Sequence, residues 1–304
     1  MTALAKLKLP TLQQDIPLAK YTAARLGGKA EWLYVAKESV YELAKVVQTA
    51  WAEDMSVTVI GGGANVLISD AGVRGLVVVN RVADIEFGDW HDGRTVSASS
   101  GTGLLRFARA CASQGIAGME WAVGVPGTVG GAVVNNAGAH GDDMAASVAE
   151  VVVLEITGPK LYTNEEMHYD YRHSMLKDRA AKGDRKFLVL QANFILPPDD
   201  KEAIEARMTE FNAYRKRTQP PGATLGSIFK NPPNDYAGRL IETAGLKGHR
   251  IGNVEVSDVH ANFIVNHGDA TASDYYALIR HVQETVMNVH SVALELEIEL
   301  IGSW

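Results

Sequence analysis

The sequence predicts an α+β protein of about two or three domains, on three observations. The chain has 304 residues, more than one core usually serves. Short β-branched runs alternate with segments of helical period along most of its length. Its 29 glycines gather in a few loops instead of spreading along linkers.

Each element follows from its local pattern. Residues 38–53, ESVYELAKVVQTAWAE, set Val40, Leu43, Val47 and Ala50 at helical spacing, and SVTVIGGG then runs as a strand into glycine. GLVVVN, RTVSASS, EVVVLEI and KFLVLQANFIL read as further strands, with GLLRFARACASQG a helix that stops at Gly115. KEAIEARMTEFNAYRKR is a long helix whose closing cations suit the negative end of its dipole. The stretch TQPPGATLGS behind it marks a domain boundary. Beyond lie AGRLIETAGLKG, a strand in HANFIVN, and a helix through SDYYALIRHVQETVMNVH. In the closing ALELEIELIG, Leu294, Leu296, Ile298 and Leu300 alternate with Glu295, Glu297 and Glu299, which predicts one half-buried strand.

Composition excludes several function classes. A formal charge of −7 argues against a phosphate-backbone binder, so no nucleic-acid partner is expected. The start, MTALAKLKLPTLQQD, is interrupted by Lys6, Lys8 and Pro10 and lacks a signal-peptide h-region. No apolar run approaches the roughly 20 residues that span a bilayer, so neither a membrane partner nor a location outside the cytoplasm is expected. Cys111 is the single cysteine, which excludes intrachain disulfides and cysteine zinc sites. His168 and His173 have no helical metal spacing and no catalytic metal is expected, while His260 reads as a buried hydrogen-bonding residue.

The chemistry concentrates in the glycine loops. In VIGGGANVLISD, Gly61 and Gly63 open a G-x-G, but Val66 occupies the third glycine's place. Val66-Leu67-Ile68 reads as a strand, not the helix that a dinucleotide fold requires. The expectation is a strand–glycine turn–strand hairpin, either a bare turn or one that offers backbone N–H groups to an anion. The second loop, GVPGTVGGAVVNNAGAHG at 124–141, packs six glycines with Pro126, Thr128 and Asn135-Asn136. Tight chain crossing explains one or two of these glycines, and a large group lying against the backbone explains the rest.

Together these loops resemble the two FAD-binding loops of the UDP-N-acetylenolpyruvoylglucosamine reductase (MurB) family, within the vanillyl-alcohol-oxidase, PCMH-type class of flavoproteins. The resemblance continues in order through TAARLGGKA, YRHS, GSIFKNP, AGRLIETAGLKG, VSDVHANFIVN and LELEIELIG. It implies three domains: residues 1–80 with 294–304, residues 81–216, and a substrate domain at 217–293. FAD would be bound through Gly61, Gly62, Gly63, Ala64, Asn65, Val66 and Leu67, and through Gly124, Val125, Pro126, Thr128, Gly130, Gly131, Ala132 and Asn136. NADPH would be the co-substrate and UDP-N-acetylglucosamine enolpyruvate the substrate, reduced to UDP-N-acetylmuramate for peptidoglycan synthesis.

The implied reaction places a hydride on the vinyl group and leaves negative charge beside the substrate carboxylate, so it needs an electrophile and a positioned acid. Arg172 matches the carboxylate-polarising arginine and Ser227 the proton donor, with Lys230 and Arg217 as sources of positive field. Glu297 matches a second acid-stabilising residue. Arg217, Lys230 and Asn231 match substrate contacts, with Lys216 an alternative to Arg217 at the diphosphate. Read without the resemblance, Arg172 is a surface arginine, and periodicity cannot tell Glu297 from Glu295 and Glu299. The short span between Arg172 and Lys201 implies the family's shorter type, without a substrate-closing tyrosine loop. Another FAD-dependent oxidase or dehydrogenase of the same class is the alternative, but it gives no reason for GSIFKNP. A non-catalytic flavin or nucleotide-sugar binder would have no use for Ser227, Arg172 and Glu297 together.

Overall fold

The computed structural model describes residue 9, residues 11–90 and residues 93–304. The signal-peptide reading rests largely on residues outside that range. By contacts the chain groups into two compact units.

The first unit takes in the segment ending at Gln13, Leu33–Gly62 and Gly75–Tyr214. Its centre is a five-stranded antiparallel sheet in the spatial order Gly158–Thr163, Val148–Glu155, Leu188–Leu196, Gly93–Ser99 and Ile85–Trp90. Val151 stands opposite both Tyr162 and Ala192, so the apolar face of the middle strands is continuous. Helix Leu104–Ser113 lays Leu104, Phe107, Ala108 and Cys111 on that face, with the Phe107 and Phe194 rings 4.7 Å apart. Spacing of three and four residues along the helix makes this possible.

Helix Val40–Ala52 starts where the Ser39 hydroxyl accepts from the Glu42 N–H, and it buries Leu43, Val46, Val47 and Ala50. The strand after it, Val57–Ile60, pairs in parallel with residues 76–79. Helix Lys201–Thr218 buries only Ile204 and Met208 and is tied down by Arg207, which donates to the buried Glu120 and to Asp199.

The second unit comprises Gln14–Trp32, Gly63–Arg74 and Arg215–Trp304. An antiparallel sheet in the order Ala223–Ser227, Phe263–Asn266, Val254–Val256 and Arg250–Ile251 packs with helix Ala272–His290. That helix buries Tyr275, Leu278, Ile279, Val282 and Val286, one apolar stripe at helical spacing. Its first turn carries a capping box between Thr271 and Asp274. Asp70 adds a carboxylate that accepts from the Ala272 and Ser273 N–H groups and from the Ser273 hydroxyl.

Two expectations need correction. Val57–Ile60 and Val66–Ile68 flank the first glycine loop but do not pair as a hairpin, because each finds a parallel partner distant in sequence: residues 76–79 for one and Glu299–Ile301 for the other. The closing segment is not one strand either. Leu294 and Ile298 are buried as the alternation requires, yet only Glu299–Ile301 forms a regular strand. The residues before it bond to a different segment, around Phe229.

Candidate active site

In the first unit the two glycine loops meet. A Cβ on Gly61 would come within 2.2 Å of the Thr128 Oγ1, and one on Gly62 within 2.8 Å of the Gly127 Cα. Only glycine lets the loops approach so closely. Residues 100–104 back the second loop: the Val129 N–H donates to the Thr102 carbonyl at 2.8 Å, Gly130 to Ser100 at 2.8 Å, and Leu104 to Gly127 at 3.1 Å. Sequence reasoning gives this S-G-T-G-L stretch no role, although glycines just before a helix carry the same signal as the two loops.

The second loop's glycines now separate by cause. Close crossing accounts for Gly130, against Ser100, and for Gly138, against Asp142 and Asp143. Gly124, Gly127 and Gly141 have φ of 73°, 134° and 93°, so backbone conformation demands them. Gly131 is left: helical, exposed, with its nearest prospective neighbour at 3.8 Å. The glycine string as a whole is therefore no argument for a ligand, whereas Gly131, which nothing in the fold requires, is one. A backbone face kept bare in this way fits a group as large as FAD lying against Gly130, Gly131 and Ala132. The exposed Gly62, Gly124 and Pro126 extend the bare face, flanked by the half-buried Val125.

The YRHS turn is fastened to the end of the same loop. Asp170 and His173 exchange backbone hydrogen bonds, which sets Arg172 at φ 54°, and its guanidinium donates to the Asn136 carbonyl at 3.4 Å and the Gly138 carbonyl at 3.1 Å. Asn136 is buried and left-handed at φ 43°. Its carboxamide donates to Asp143 Oδ2 at 3.1 Å and the Asp170 carbonyl at 2.9 Å, and accepts from the Ala145 N–H at 2.9 Å. That side chain is thus engaged in holding the Arg172 turn to the loop. The connection from Arg172 to Lys201 holds helix Met175–Ala181, strand Leu188–Leu196 and short links.

In the second unit Gly63 lies against the Tyr21 carbonyl, and its own carbonyl accepts from the Ala23 N–H, at the start of the TAARLGG segment. Ala64 and Val66 are half-buried there and Leu67 is in the core. Ser227 follows Gly226, whose φ of 75° breaks the register between Thr224 and Ser227. Beyond Ser227 the chain is held on both sides. On one side Ile228 donates to the Asn262 carbonyl at 2.9 Å. On the other, the Glu297 N–H donates to the Ile228 carbonyl at 2.8 Å and the Lys230 N–H to the Glu295 carbonyl at 2.9 Å, around the Phe229–Leu296 bridge.

This pairing sets the three glutamates apart. Glu297 is half-buried beside the Ser227 segment, with its carbonyl accepting from the Asn65 carboxamide at 3.2 Å, while Glu295 and Glu299 are exposed. The Lys230 ammonium lies 3.4 Å from the Glu295 carboxylate. The Asn231 side-chain oxygen accepts from Ala237 at 3.1 Å and starts helix Ala237–Thr243. Lys216 and Arg217 both stand exposed on the last turn of their helix, so exposure does not choose between them. His260 accepts from the Asn262 N–H at 3.2 Å, and burial holds its pKa below the usual histidine value.

Residues 33–158 match the FAD binding domain family, and residues 218–301 match the UDP-N-acetylenolpyruvoylglucosamine reductase C-terminal domain. The chain is 44% identical to UDP-N-acetylenolpyruvoylglucosamine reductase of Synechococcus elongatus, over 97% of this chain and 96% of that one. The chain belongs to the UDP-N-acetylenolpyruvoylglucosamine reductase family. The Bacillus velezensis member is 41% identical over 96% of this chain and 94% of its own. The crystal structure of the reductase (MurB) from Thermus caldophilus superposes with a TM-score of 0.78 at 34% identity, covering 94% of this chain and 98% of that one. The chain is accordingly an FAD-containing oxidoreductase of the expected fold class, an FAD-binding portion followed by a reductase-family C-terminal domain. Among the described residues no helix is long and apolar enough to cross a membrane.

Proposed function

We propose that this chain reduces UDP-N-acetylglucosamine enolpyruvate to UDP-N-acetylmuramate at the expense of NADPH, in the cytoplasm, as a step of peptidoglycan precursor synthesis. The observation that carries the reading is the pairing of residues 295–297 with 228–230, which brings Glu297 to the segment that bears Ser227 and Lys230. Bound FAD, held by the two glycine loops, supplies hydride transfer between NADPH and the enolpyruvyl double bond. Ser227 is the proton donor to the carbon next to the carboxylate. A serine hydroxyl is a weak acid, so Lys230 supplies positive charge nearby and the basic carbanion supplies the driving force. Arg172 meets the substrate carboxylate through a guanidinium that stays charged and offers paired donors. Arg217 or Lys216 serves the diphosphate, and Lys230 and Asn231 the rest of the nucleotide sugar.

The division into residues 1–80 with 294–304, 81–216 and 217–293 is proposed as an apportioning of function, the first two parts for FAD and the third for substrate. The experiment is a pair of anaerobic half-reactions followed by flavin absorbance. Ser227→Ala is expected to leave reduction by NADPH nearly intact and to slow reoxidation by the enolpyruvyl substrate by about 10² to 10⁴. Equal damage to both half-reactions would remove Ser227 from the role of proton donor.

A further inference from the structure

Asn262 carries no chemistry of its own in the proposed reaction, yet it is buried to 4% exposure at the point where the Ser227 strand loses its neighbour. The ladder between Ala223–Ser227 and Phe263–Asn266 ends at the Ser227–Phe263 pair. Past that point the Asn262 carbonyl still accepts from the Ile228 N–H at 2.9 Å, and at the next residue its carboxamide takes over: its Oδ1 accepts from the Phe229 N–H at 3.0 Å and its Nδ2 donates to the Phe229 carbonyl at 2.8 Å. A side-chain amide offers a donor and an acceptor with the spacing of a peptide group, so it extends the ladder where no strand is present. Upstream of Ser227 stands Gly226, at φ 75° and with no atom within 4 Å of where its Cβ would be. Ser227 is thus held across the ladder by Phe263 and, on its C-terminal side, through the bonds of Ile228 and Phe229 to Asn262.

We infer that Asn262 is the positioning residue for proton delivery: by closing both backbone groups of Phe229 it holds Ser227 in one frame with Lys230 on the same segment and with Glu297, which pairs with Ile228. This rests on the proton-donor role proposed for Ser227. Buried amide hydrogen bonds of this kind lock a backbone far better than exposed ones, because no water competes for either partner. Reaction rates depend steeply on such placement, since a misplacement of about 1 Å can cost on the order of 10²-fold.

The test uses the FAD-loaded protein and two variants. Asn262→Ala removes both bonds, and Asn262→Asp keeps the acceptor while setting a carboxylate against the Phe229 carbonyl. With FAD content equal to wild type, N262A is expected to reoxidise with the enolpyruvyl substrate about 10²-fold more slowly, with a larger solvent isotope effect, while reduction by NADPH changes little. N262D is expected to be slow near neutral pH and to recover as pH falls, because the protonated acid can again both donate and accept; N262A should show no recovery. Unchanged reoxidation, equal slowing of both half-reactions, or an N262D profile without low-pH recovery would each overturn the inference. Should N262A fail to fold, the N262D profile decides alone. A wild-type protein that is reduced by NADPH but not reoxidised by the substrate would instead sink the proposed function, so the two failures are distinct.

Discussion

At the residue scale, the most informative position is the one where the fold asks for nothing. Gly131 sits within helix Val129–Asn135, exposed, and a Cβ there would have no neighbour nearer than the Thr128 Oγ1 at 3.8 Å. Replacing a helical glycine by alanine ordinarily favours the helix by up to about 1 kcal/mol. Gly131→Ala is thus expected to raise the melting temperature of the FAD-free protein while weakening FAD binding, read by thermal scans of apoprotein and by flavin titration. A variant that weakens both, or neither, would mean that Gly131 serves packing after all. The sequence could not isolate this position, because crossing glycines, left-handed glycines and ligand-facing glycines are spelled with the same letter. Asn136 shows the reverse case. The resemblance assigns it to FAD, and its carboxamide is engaged with Asp143, Asp170 and Ala145, partners that no local pattern announces.

At the scale of elements, helices Val40–Ala52 and Ala272–His290 were legible in the sequence, and the structure caps them with Ser39 and Thr271. The second cap on the latter helix was not, because Asp70 is some two hundred residues away. Burial alone would raise the Asp70 pKa, but bonds from the Ser273 hydroxyl and the Ala272 and Ser273 amides outweigh it and leave the carboxyl below the ordinary value of 3.8. A carboxylate with a depressed folded pKa contributes its stability above the unfolded value and loses it as pH falls through the folded one. Asp70→Ala should therefore cost roughly 1 kcal/mol near neutral pH, measured as a shift in the urea midpoint, and progressively less in acid. An equal shift at every pH would assign the cost to packing. The closing segment was misread for a related reason. Alternate burial gives a period of two whichever neighbour supplies the hydrogen bonds, and here the neighbour changes from residues 228–230 to residues 66–68 within one short stretch.

At the scale of the whole molecule, two quantities should move together with ligand and proton concentration. The first is overall stability in FAD: a ligand that binds only the folded state at 100 times its dissociation constant adds about 2.7 kcal/mol, so the melting temperature should climb with free FAD until aggregation or saturation limits it. A melting temperature indifferent to added FAD in apoprotein would argue against a preformed cradle. The second is the acid limb. Burial lowers the His260 pKa below 6.5, with Lys247 also disfavouring the charge, so below about pH 6.5 the unfolded chain takes up a proton that the folded chain resists. Stability should fall as pH drops from that point, and His260→Gln, which keeps an acceptor for the Asn262 N–H, should flatten the slope below about pH 6.5 in chemical denaturation.

The segment at 295–301 has one further consequence, and it concerns time. During translation residues 66–68 and 228–230 leave the ribosome well before residue 295 is made, so both wait with an unfilled edge. The nascent chain can fold most of its sheets in that interval, but the frame around Ser227 closes only when the late residues arrive. Until then residues 66–68 and 228–230 lack the partners they take in the finished fold, which leaves their backbone groups open to other pairing late in synthesis.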